Sequence, residues 1–162
     1  MKNYFLKLFI YITFIISLFL QILFIKNNNI ILHISWLILI LIYWIITYPY
    51  IINVSSSFFI GLMIDFFTNY ILGIHSLLLC ILTYFISYNY RFIINLHIIN
   101  KLLFIIYVTF IINSIIYYIN DINFNYLELL LQSILNSFIW VIIYFYIEKI
   151  YYKCQKYFFK KI

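Results

Sequence analysis

FIGLMIDFFTNYILGIH, residues 59–75, holds both glycines of the chain, Gly61 and Gly73, and one of its four acids, Asp65, inside an otherwise apolar run. The apolar sequence around it extends from about residue 51 to 90. A membrane-crossing helix takes about 20 residues, because the hydrocarbon core is about 30 Å thick. The run is therefore too long to cross once. It must break near Thr68-Asn69-Tyr70 and turn back, which makes this stretch the far corner of a helical hairpin.

The rest of the chain agrees. Its 162 residues are 68% hydrophobic and 9% charged, where a soluble domain carries about 25% charge. Too few polar residues exist to cover a globular surface, so lipid is the solvent for most of the chain. Isoleucine, asparagine, lysine, tyrosine and phenylalanine are abundant and alanine is absent. These are residues with AT-rich codons, so the isoleucine excess is not read as strand propensity.

Cutting at charges, asparagine clusters and the single proline predicts an all-α, polytopic integral membrane protein of about six transmembrane helices in one membrane domain, residues 1–162. The spans fall at roughly 5–25, 30–48, 51–67, 72–90, 102–119 and 126–147, with a basic tail at 148–162. The first span follows Lys2 and Lys7 and lacks a small-residue cleavage site, so it reads as uncleaved. Pro49 disfavours helix at the residue before it and ends the second span. Span 51–67 is the shortest, and a tilted or partly re-entrant segment is the alternative to a full crossing there.

Lysine and arginine favour the cytoplasmic side. With both termini inside, Lys2, Lys7, Arg91, Lys101, Lys149, Lys153, Lys156, Lys160 and Lys161 are internal and only Lys26 is external. An odd number of spans spoils that pattern. In the tail, Lys149, Lys153, Lys156 and Lys160 share one helical face, which suits a helix lying on anionic membrane lipids.

The polar residues inside the spans are few. Asp65 falls near the external end of its span, within reach of headgroup water, and Gly61 lies one turn before it on the same face. A small residue there lets a neighbouring helix come close and meet the carboxylate. Gly73 reads as a turn glycine ahead of the next span. His33 and His75 sit at a similar depth on different spans and read as interfacial or packing residues, while His97 lies in the 91–101 connection. Asn125 and Glu128 have the spacing of a capping box. Glu128, Gln132, Asn136 and Trp140 repeat every four residues, flanked by Ser133 and Ser137, and should face other helices. Trp36, Trp44, Tyr48 and Tyr50 suit interfacial anchoring.

No nucleophile–base pair, phosphate loop or paired carboxylates stand out, so no catalytic residue, cofactor or metal site is expected. Cys80 and Cys154 are far apart and read as unpaired thiols. The positive charge belongs to membrane topology and not to nucleic-acid binding.

Trp36, Tyr43-Trp44, Pro49, Asn53, Phe58, Gly61, Asp65 and Leu72-Gly73 follow, without a gap, the pattern W, YW, P-x3-N, F-x2-G-x3-D and LG. In this the chain resembles the rod shape-determining MreD family, most specifically over residues 20–90, where Leu20-Gln21 also fits. It departs at Ile34, where the family often has proline, and at Ser55 and Ser57, where glycines are common. The resemblance implies a non-enzymatic inner-membrane component of the elongation complex that guides lateral peptidoglycan synthesis. It would act with a bitopic MreC-like protein and MreB, and with RodA and PBP2 in the wider complex. It also implies that Pro49, Asn53, Gly61, Asp65 and Gly73 form the structural core or a partner-facing surface. Trp36, Gln132 and Asn136 join them as contact candidates. The alternative, a substrate-binding membrane subunit of a vitamin-type transporter, also suits six short spans with an intramembrane acid. A bound ligand separates the two.

Overall fold

A computed structural model describes residues 2–25, 34–68, 70–121 and 125–159, with side chains from 4–23, 34–68, 70–121 and 125–153. His33 and Lys26 lie outside the described residues, as do the side chains of Cys154, Lys156 and Lys160. The chain is all-helical: α1 Lys2–Ile25, α2 Trp36–Thr47, α3 Val54–Thr68, α4 Ile74–Tyr88, α5 Tyr90–Ile94, α6 Ile98–Ile119 and α7 Tyr126–Phe159. Among the described residues, three helices contain stretches long and apolar enough to cross a membrane, namely Tyr4–Leu23, Ile98–Ile119 and Tyr126–Lys153, and α2, α3 and α4 are shorter apolar helices. Together they make a membrane protein.

Local sequence explains the ends. Tyr48 leaves the helical region at φ −140 and ψ 67 ahead of Pro49, the conformation that a following proline ring forces. The carbonyl of Asn53 accepts the Ser57 N–H at 3.2 Å and opens α3. Gly73, at φ 102, supplies the left-handed residue that starts α4, a conformation that costs other residues about 1–2 kcal/mol.

α2 is the axis of the bundle. Every residue from Leu37 to Ile46 is buried, with α1, α4, α5 and α7 packed around it. A helix that is apolar on all sides belongs inside, and at 12 residues it is only about 18 Å long. This corrects the expected role of Trp44. It is no interfacial anchor: fully buried, it donates from Nε1 to Thr13 Oγ1 at 2.8 Å. Tyr50, 90% exposed, keeps the exposure an anchor needs.

α7 corrects the tail. It runs unbroken for 34 residues, because no glycine or proline interrupts 126–159. At about 51 Å it exceeds the hydrocarbon thickness. Residues 148–159 of the tail thus continue the last helix, and Lys149 and Lys153 are exposed along it.

α3 and α4 form the tightest pair. Small and polar residues of α3, Ser57, Gly61 and Asp65, are buried at four-residue intervals against His75, Ser76, Leu79 and Thr83 of α4. Such small-residue spacing lets helix backbones approach in lipid. Ser57 and Thr83 hydroxyls meet at 2.6 Å, both fully buried. A double-mutant cycle with Ser57→Ala and Thr83→Val should give a coupling of roughly 0.6 kcal/mol in detergent unfolding. Additive losses would show that the hydroxyls do not depend on each other.

Candidate functional site: the corner where α3 meets α4

Asp65 is the centre of the corner. It is 0% exposed, which corrects the expectation that it reaches headgroup water. Its Oδ2 accepts the Gly73 N–H at 2.8 Å, and its Oδ1 accepts the His75 N–H at 3.2 Å and the His75 ring at Nδ1, 2.6 Å away. A carboxylate only accepts, so the ring nitrogen facing it carries the proton. The N-cap of α4 is a glycine with no side chain to offer, so the previous helix supplies the cap. The carboxylate sits at the positive end of α4, where a negative charge is favoured.

Burying a carboxylate without partners is costly. Here three donors compensate it, and the His75 ring is fixed from the other side by Tyr70, stacked at 5.8 Å and 1°. Gly61 makes the geometry possible. A Cβ built there would fall on the backbone of Ser76, with Ser76 N only 2.5 Å away. Gly73 has open space around it, so its glycine is required by φ and not by crowding.

Behind His75 lies a small polar cavity of about 10 Å³, lined by Gln21, Ser35, Tyr70, Asn113 and Tyr117 among others. That is room for about one water. Among the described residues, Gln21 Oε1 and Asn113 Nδ2 are buried there without a direct hydrogen-bond partner.

The other candidates separate into two groups. The stripe on α7 points inward. Gln132, Asn136 and Trp140 are buried, as are Ser133 and Ser137. Asn136 Oδ1 accepts the Ser35 N–H at 3.3 Å, at the start of α2, and Gln132 approaches the Tyr117 hydroxyl at 3.4 Å. Its partners are therefore within the chain. Trp36 opens α2, half-buried near that same end. Pro49 and Asn53 lie at the opposite end, in the α2–α3 connection, half-buried and exposed respectively. Asn125 and Glu128 meet directly, Nδ2 to Oε1 at 3.0 Å.

Sequence reasoning missed the direct pairing of His75 with Asp65, because it weighed the two as members of different spans. The signal was present: a buried acid and a histidine bracket one turn ten residues apart. Ser76, Thr83 and Asn113 carried no sequence signal that distinguished them from drift. Asp65 and His75 offer two ligand atoms, and among the described residues no group of three His, Cys, Asp or Glu side chains gathers around a metal position.

The profile of the family described as rod shape-determining protein MreD matches residues 2–154. The rod shape-determining protein MreD of Haemophilus influenzae is 34% identical over 83 residues. That stretch is about half of each protein, 51% of this chain and 51% of the relative. No solved structure matches. The family profile spans nearly the whole chain: this chain belongs to the MreD family of rod shape-determining proteins.

Proposed function

We propose that this chain is a non-enzymatic scaffold of the inner membrane, acting in the complex that guides lateral wall synthesis in rod-shaped cells. The chain threads the bilayer six times, through α1, α2, α3, α4, α6 and α7, with both ends in the cytosol, a threading that counts α2, α3 and α4 although each is shorter than a full crossing helix. A bitopic MreC-like protein is its direct partner, with MreB, RodA and PBP2 in the wider assembly. The observation that carries this reading is the closure of Asp65 on the start of α4. The chain's buried acid accepts three hydrogen bonds from the start of the next helix and so joins two helices, as a scaffold requires.

Two further features support it. Exposed large apolar residues cover the outer faces of α1, α3, α4 and α7, an area far larger than the patches a soluble monomer shows and suited to lipid and partner helices. The positive charge concentrates at one end under a six-span threading. The cavity beside His75 is about 10 Å³, far below the roughly 300 Å³ of a small-molecule site, so the Asp65–His75 corner does not line one.

Depletion in a rod-shaped host should round the cells, and the tagged chain should co-purify with a bitopic partner. Normal morphology after depletion, with the chain recovered alone, would overturn the proposal. Reporter fusions at the two ends test the threading independently: both should report the cytosol.

A further inference from the structure

A second cavity, of about 390 Å³, opens at the other end of the bundle, where α2 finishes, α5 precedes α6, and α7 runs past. Tyr43, Tyr48, Tyr144 and Tyr151 form its walls, with Lys101 and Glu148 on its lining. The rings are held in pairs: Tyr43 meets Tyr144 edge-on at 5.6 Å, and Tyr48 meets Tyr151 at 6.1 Å. Lys101 donates to the Ile94 carbonyl at 2.9 Å and retains two further N–H donors. Glu148 is exposed and forms no ion pair among the described residues.

One cavity therefore presents a cation, an anion and aromatic faces. A purely anionic headgroup would be attracted by Lys101 and repelled by Glu148. A zwitterion satisfies both. A primary ammonium can donate hydrogen bonds to Glu148 while lying against tyrosine rings. A trimethylated ammonium has the second contact without the first. Ile46 and Ile94 add the apolar lining that acyl chains need, and Thr47 and Tyr152 complete the wall.

We propose that this cavity binds a membrane phospholipid with a phosphoethanolamine headgroup, its phosphate on Lys101 and its ammonium on Glu148. The placement rests on the six-span reading, which sets this end at the membrane–water boundary; the reporter fusions test that separately. Bound here, the lipid would fill the gap between α2 and the extension of α7 and fix the angle at which that extension leaves the membrane.

The test is native mass spectrometry of the full chain, delipidated in mild detergent and offered phosphatidylethanolamine, phosphatidylcholine or phosphatidylglycerol. The wild-type chain should retain phosphatidylethanolamine about tenfold better than either of the others, the worth of one charge-assisted hydrogen bond. Glu148→Gln should abolish that preference and raise phosphatidylglycerol to at least equal retention. Lys101→Gln should lower all three lipids. Thermal midpoints measured on the same samples check that both variants remain folded, which their position on the cavity lining favours. Equal retention of the three lipids by the wild-type chain, or an unchanged preference in Glu148→Gln, overturns the proposal.

Discussion

Gly61→Ala should cost about 3 kcal/mol of stability, the upper end of what overpacking one methyl usually causes. The reason is what the new carbon would meet. Its nearest neighbours are backbone atoms of Ser76 and His75, not the far end of a flexible side chain, so a rotamer change cannot relieve the clash. The helices must separate, and separation pulls Asp65 away from Gly73 and His75, one turn further along the same face. Larger residues should be worse, and Gly61→Leu should prevent stable accumulation. Gly73→Ala is the contrast. It has room for the carbon but not the conformation at φ 102, so it should lose only about 1–2 kcal/mol. Unfolding of the purified variants in mixed micelles measures both. If the two alanine variants are equally stable, close approach at Gly61 is not what holds α3 to α4.

Asp65→Leu should cost about 3–5 kcal/mol, the usual range for removing one member of a buried charged pair. Two backbone N–H groups and the His75 ring lose their acceptor together. Asp65→Asn should fall between, because its one carbonyl oxygen can still accept at the start of α4. Asp65→Leu combined with His75→Leu should cost less than the sum of the single changes, since the doubly changed corner no longer strands a ring N–H. Each variant should still insert, because none adds a charge to the apolar spans. Assembly with the proposed MreC-like partner should weaken in parallel with stability if the corner acts by shaping the scaffold. An Asp65→Leu chain as stable as the wild type would remove the central support of the proposed function.

The existence and type of the helices were legible in the sequence, and the physical reason is solvent. With 9% charge there is no way to face water, and in lipid a chain of this kind satisfies its backbone only by forming helices. The turn near residue 70 and the role of Gly73 followed from length and from the conformational freedom of glycine. Lengths were less legible. The expected second span starts at residue 30, whereas α2 covers Trp36–Thr47 and Ile34 and Ser35 ahead of it are not helical; residues 30–33 lie outside the described residues. The long α7 was cut at its charges, although lysines do not stop a helix once it leaves the hydrocarbon.

Sequence by itself determined that the chain lives in lipid, that it is helical, and that its few glycines and its acid gather at one hairpin. Those conclusions depend on composition, length and backbone sterics, all of which are local. Only the tertiary structure decided where the polar atoms go. Trp44 and Trp36 look alike in sequence, yet Trp44 is sealed at the axis because α1, α4 and α7 close around α2. Asp65 looked like a group for headgroup water or a partner, yet it caps its own neighbouring helix. In an apolar chain every helix face is greasy enough to meet lipid. Which face turns inward is therefore set by the few hydrogen bonds and close approaches that one packing satisfies, and those pairings join residues on different helices.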